Sequence, residues 1–167
     1  VGPLRTEGDQ VTTAFVDVRI RRPQQHEALM QELQNDAQFP TYRDILLFAA
    51  AVGFRHDRRV PFSTAAGDPI RYETLTTPTF SEALVNMIAA NVVTDDPEIM
   101  DGTRIEERIR IFEEYANGGL EYIQEQVNVR HQPAALVVID LVTEAFADDG
   151  GAKPVSVDEL LGGVTLS

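Results

Sequence analysis

Seven apolar residues, Ile105, Ile109, Phe112, Ala116, Leu120, Ile123 and Val127, recur at steps of three or four without a break. That period lines them up as one stripe of a helix. The stripe runs across Asn117-Gly118-Gly119, where each glycine costs about 1 kcal/mol in a helix interior. Such glycines persist where the backbone bends or where it must approach something closely. The segment therefore reads as one long helix kinked at the glycines, or as two helices nearly in line. The surface it packs on is Ile45 to Val52, apolar almost all round and so expected to be a central, buried helix. Thr41 with Asp44 caps that helix, and Gly53, which tolerates positive φ, is its natural terminator.

Weaker patterns complete the outline. Val11 to Arg22 alternates, with Phe15, Asp17, Arg19 and Arg21 on one face and Val16, Val18 and Ile20 on the other, a strand pattern over its second half. Pro23 opens a helix whose face is Ala28, Leu29 and Leu33. Residues 55–68 form a loop closed by Gly67-Asp68-Pro69, and residues 70–76 alternate as a second strand. Thr79 with Glu82 opens a helix to Val93 with Leu84, Met87, Ile88 and Asn91 or Val92 inward. Asp96-Pro97-Glu98 caps a short turn, and Thr103 with Glu106 caps the long helix. Pro133 starts a last helix to Ala147, with a strand through Val137 to Ile139 as the alternative. The expected fold is mainly α: a single compact domain of about five helices with a small two-stranded β element. Residues 1–10 are its flexible lead, 11–150 the domain and 151–167 a C-terminal tail.

At 167 residues the chain fits one domain with a real core. Cysteine is absent, which excludes disulfides, thiolate zinc sites, iron–sulfur clusters and persulfide chemistry. No apolar run reaches the length of a membrane span, and no basic stretch followed by an apolar one marks a secretory leader; the expected location is the cytoplasm. The net charge of −13 is uneven. Residues 1–75 carry nine Arg against ten Asp and Glu, and residues 76–167 carry five basic residues against seventeen acidic. Either genome composition and salt adaptation acidify the surface, or the second half is an acidic face for a basic partner.

Catalytic motifs are missing. His26, His56 and His131 have no ligand partner at i+3 or i+4, and the Asp95–Glu106 stretch fails as a calcium loop because Pro97 and Ile99 fall at ligand positions. There is no nucleophile elbow and no P-loop. Glu106-Glu107 and Glu113-Glu114 read as solvated pairs with Arg104, Arg108 and Arg110. No cofactor is implied. Two spots remain as partner- or DNA-binding candidates. One is the basic cluster Arg55, Arg58 and Arg59 with Arg71, beside Tyr42 and Arg43; its arginines either grip phosphate or carboxylate, or pair internally with Asp44, Asp57, Asp68 and Glu73. The other is Tyr115, Asn117, Gly118 and Gly119, a packing element or a contact site.

The run Phe39-Pro40-Thr41-Tyr42-Arg43-Asp44 through Phe54 with Arg58-Arg59, the run Ile111-Phe112-Glu113-Glu114-Tyr115-Ala116-Asn117-Gly118-Gly119-Leu120, and Gly67-Asp68-Pro69-Ile70-Arg71 stand in an order that resembles the Dnd (DNA phosphorothioation) system-associated protein 4 family. The resemblance covers about residues 22–125. It implies a cytoplasmic accessory protein in a modification-dependent defence cluster, with no catalytic residues to carry over. The leading expectation is thus an accessory or regulatory subunit that binds proteins of a DNA modification or restriction system. A DNA-binding module is the second reading, disfavoured by net charge. A metal-dependent nuclease is the third.

Overall fold

A computed structural model describes residues 17–148. The expected lead, the tail and the first half of the predicted strand lie outside them. The described residues form a mainly helical domain of six α-helices and one two-stranded antiparallel sheet.

β1 (Arg19–Pro23) turns Ile20 inward beside the buried Val18 and leaves Arg19 outward, as alternation requires. Pro23 closes this strand, paired with Ala65, instead of opening a helix. A 3-10 turn at Gln24–His26 leads into α1 (Glu27–Asn35), which buries Leu29, Met30 and Leu33 and leaves Ala28 exposed. The buried face is thus centred on Leu29, Met30 and Leu33 and turned away from Ala28.

α2 (Tyr42–Arg55) begins as expected: the Thr41 hydroxyl accepts the Asp44 backbone N–H at 3.3 Å and donates to its carboxylate at 2.6 Å. Its end differs. The helix runs past Gly53 to Arg55, and the positive φ of 53° falls on Asp57.

β2 (Ala65–Arg71) pairs with β1 across an irregular register: Ile20 faces Ile70, but Arg22 faces Ala66. Residues 67–69 thus stand opposite Arg21 alone, and Gly67 takes a φ of +56°. The Gly-Asp-Pro turn chemistry is real, but it builds a bulge within the strand.

The predicted second half of that strand is α3 (Tyr72–Thr76), the sixth helix. Arg43 accounts for it. The guanidinium donates to the Thr74, Leu75 and Thr77 carbonyls at 2.7, 3.2 and 2.6 Å, satisfying acceptors at the helix end. α4 (Thr79–Val92) starts without a side-chain cap, because the N-cap position falls on Pro78 and not on Thr79, and Glu82 instead accepts the Tyr72 hydroxyl at 3.0 Å. Burial and that bond push the Tyr72 hydroxyl up to about 12. The buried face of α4 is Ser81, Val85, Ile88 and Ala89, with Leu84 half-buried and Met87 exposed, so it is rotated from the expected one.

Asp96 caps the 3-10 turn Pro97–Met100, as read from the sequence. Asp101, not Thr103, caps the turn that leads into α5. α5 (Ile105–Arg130) is one helix of 26 residues that continues through both glycines. It buries Ile109, Phe112, Ala116, Leu120 and Ile123, the middle of the predicted stripe. α6 (Ala134–Ala147) is helical throughout, which removes the strand alternative. The core lies chiefly between α2 and α5, closed by α1, α4, α6 and the sheet.

Candidate functional site

The two sequence motifs meet each other. A Cβ on Gly53 would collide with the Tyr115 carbonyl and lie 2.9 Å from the Gly119 nitrogen. One on Gly119 would collide with the Ala49 carbonyl, and one on Gly118 with the Arg58 carbonyl. The glycines therefore let the α2 and α5 backbones touch and let the chain after α2 lie directly on α5. That following segment, residues 56–64, is strapped down. The Asn117 amide donates to the Val60 carbonyl at 2.9 Å and accepts from Gln25 at 3.0 Å, and Asn117 is fully buried. The Val60 N–H donates to the Glu114 carbonyl at 3.0 Å. Tyr115 is buried with its ring edge-on to Phe54, centroids 5.8 Å apart.

The arginine candidates are spread over several contacts. Arg58 holds Glu125 in a fork at 2.8 and 3.0 Å and touches Glu121 at 3.4 Å. Arg59 pairs with Glu114 at 3.2 Å. Both therefore face α5. Arg55 faces the end of α6, where Asp148 lies at 3.5 Å. Arg43 is committed to the α3 end, to Asp44 at 2.8 Å and to the Ser81 hydroxyl at 2.7 Å. Tyr42 lies beneath Arg22, whose guanidinium carbon is 4.4 Å from the ring centroid. Arg71 is exposed, in register with Arg19. Of the four acids expected as partners, only Asp44 takes part, with Arg43. The other partners come from α5 and α6, far along the chain, where local spacing cannot point.

The carboxylates are also distributed by tertiary contacts. Glu113, expected in solvent, is buried; it accepts the Arg21 backbone N–H at 2.6 Å and its guanidinium at 3.1 and 3.2 Å. Burial pushes its carboxyl above the ordinary range even against that arginine. Phe62 covers Arg21 from outside at 4.8 Å. Burial pulls His26 down, and it pulls down His56, whose ring stacks on Tyr122 at 4.0 Å. Arg108 is buried and donates to the Ile99 and Asp101 carbonyls at 2.7 and 2.8 Å. Among the described residues, no three His, Asp or Glu side chains are grouped so as to hold a metal ion.

Of the large apolar side chains exposed among the described residues, Phe80, Met87 and Met100 stand on α4 and the turn that follows it, and the rest stand on α6 and the end of α5. α6 buries only Ala134, Val137 and Leu141, while Leu136, Ile139, Val142 and Phe146 are exposed, Ile139 by 59% and Phe146 by 73%. Val129, at the end of α5, is also 73% exposed. Beside this stripe, α2 contributes Phe48, Ala51, Val52 and Arg55 to a groove of about 230 Å³ whose other wall is Leu141, Val142, Ala145 and Phe146. His56 lines it as well, so one imidazole and one guanidinium stand among apolar side chains, and the groove can hold apolar groups. The sequence reading did not mark it. The available signal was the composition of Ala134-Ala135-Leu136-Val137-Val138-Ile139, apolar on too many sides for a helix at the surface.

No helix among the described residues is long and apolar enough to cross a membrane. No curated protein and no solved structure matches the chain. A family model does, over residues 19–158, from β1 through all six helices; the chain belongs to the family described as DNA sulphur modification system-associated protein 4.

Proposed function

We propose that this protein is a non-enzymatic accessory subunit of its DNA sulphur modification system, acting in the cytoplasm by holding another protein of that system and so serving its defence against foreign DNA. The observation that carries this reading is the outer face of α6. Four large apolar side chains stand in solvent on one helix while the charged residues nearby are paired. Fully burying each would contribute about 1.5–3 kcal/mol, which a soluble domain forgoes only where something covers the face. A DNA-binding role has less support. Arg58 and Arg59 already hold carboxylates, and the net charge of −13 opposes a polyanion.

The test is co-purification of the tagged chain with each protein encoded alongside it in the modification cluster, with and without nuclease. A nuclease-resistant complex is expected, weakened about tenfold or more by Ile139→Asp with Leu136→Asp. A complex indifferent to those substitutions, or one that disappears with nuclease, sinks the proposal.

A further inference from the structure

The groove between α2 and α6 constrains what can lie on it. Its volume, about 230 Å³, is below the roughly 300–1,000 Å³ of small-molecule sites. Its α2 wall is Phe48, Ala51, Val52 and Arg55, at i, i+3, i+4 and i+7, so the wall runs parallel to a helix axis. On α6 the exposed seam is Ile139, Val142 and Phe146, at steps of three and four. Two helical ridges lining one apolar trough, with Arg55 of one beside Asp148 at the end of the other, offer the spacing of a third helix.

Charge selects among occupants. Asp148 closes one end of the trough, and Asp140 and Glu144 border the far side of the seam. In each of these pairs the carboxylate is more exposed than the arginine that holds it, Arg55 or Arg130. The rim thus sets three carboxylates, the more exposed groups, against two arginines, and its balance is acidic. A second copy of the chain brings a further −13, and residues 149–167 carry Asp149, Asp158 and Glu159 against one Lys153. Both are the wrong sign for this rim. We propose that the trough and seam take one amphipathic helix of a partner protein that carries Lys or Arg beside its apolar residues. This rests on the reading of the protein as a partner-binding subunit and adds the partner's form and charge.

Three labelled synthetic peptides of about 18 residues, long enough to hold a helix, test it on the full chain. One has Leu at helical period with Lys elsewhere, one has the same Leu with Glu elsewhere, and one is the Lys peptide with its order scrambled. Fluorescence anisotropy is expected to show binding of the periodic Lys peptide alone, weakened about tenfold or more by Phe146→Asp and by Ala51→Trp, which fills the trough. Phe146 and Ala51 are exposed, so both variants keep the fold, checked by circular dichroism. Equal binding of the scrambled peptide, equal binding of the Glu peptide, or indifference to both substitutions overturns the proposal. So does a dimer in sedimentation that Phe146→Asp dissociates. The absence of native cysteine allows one more arm: a disulfide that closes in the free chain between Val142→Cys and Leu160→Cys shows the chain covering its own groove, and also overturns it. If the peptides fail while a system protein still binds in an Ile139-dependent way, the helix is wrong and the docking face stands; if both fail, both readings fall.

Discussion

Where α2 crosses α5, bare glycines meet carbonyls, and a buried asparagine of α5 joins the strap to the turn before α1; on the outer side of α6, Leu136, Ile139, Val142 and Phe146 point away from the core. The first region holds the residues that mark the family in sequence. The second lies within the family match but carries no such dense motif. Residues in the α2–α5 seam are fixed by distance, since a single carbon added at Gly119 has nowhere to go. Residues on α6 are constrained only to be apolar. A motif can therefore be dense because packing is tight, with no chemistry behind it, while the surface that meets other molecules leaves a diffuse trace. Gly53, Gly118 and Gly119 identify the fold; α6 carries the proposed function.

If that division is right, the seam should fail under the smallest possible change. Gly119→Ala adds one methyl group against the Ala49 backbone carbonyl, and the neighbouring contact is to the Gly53 nitrogen at 3.0 Å, also backbone. Neither neighbour can rotate away. Relieving the overlap means moving α5 off α2, an overpacking cost of about 3 kcal/mol or more. An exposed helical Gly→Ala change would instead be stabilising by about 1 kcal/mol. Urea unfolding decides between the signs. A variant as stable as the parent would break the comparison, because the seam would then have slack.

The extent to which the sequence revealed this molecule follows the reach of each interaction. Thr41 and Asp96 were readable as caps because their partners lie within three residues, and α6 because its period and its proline lie within one segment. The helix Tyr72–Thr76 was not readable, since it ends on a guanidinium more than thirty residues away in sequence and the local alternation resembles a strand. Gly53 resembled a terminator because glycine serves both close approach and positive φ, and only the position of α5 distinguishes the two. The candidate residues were readable as unusual, but their partners were not: Glu113 finds Arg21 at a separation of 92 residues. The α6 face went unmarked for a different reason. Periodicity shows which residues share a side of a helix and is silent on which sides are covered.

Titration sharpens the comparison at intermediate cost. Among the described residues, Glu113 is the one carboxylate that burial raises above its ordinary range. A raised folded value means the folded state holds its proton more tightly than the unfolded chain does. This group's contribution to stability is therefore present at acidic pH and is lost as pH climbs from the ordinary carboxylate range through the raised one. His26, pulled down by burial, works the other way, costing stability as pH falls below the ordinary imidazole value. Glu113→Gln removes the first dependence and leaves the second. The difference between parent and variant stabilities, measured from pH 4 to pH 8, is expected to shift in the variant's favour as pH rises through that window. A flat difference would mean that Arg21 compensates the buried charge fully, and that this part of the packing is not under electrostatic load.

The smallest expected effect on folding is on α6. Ile139 makes little contact with the core, so Ile139→Asp should change stability by about 0.5 kcal/mol or less, the usual range for a surface position. The cost of the substitution appears only when a partner is present. A residue whose replacement leaves the unfolding curve in place and removes a complex is kept for the complex, and thermal unfolding beside binding measures both at once. If Ile139→Asp lowered the melting temperature by as much as Gly119→Ala, α6 would be part of the core through contacts with residues outside 17–148, and the contrast between the two regions would be lost.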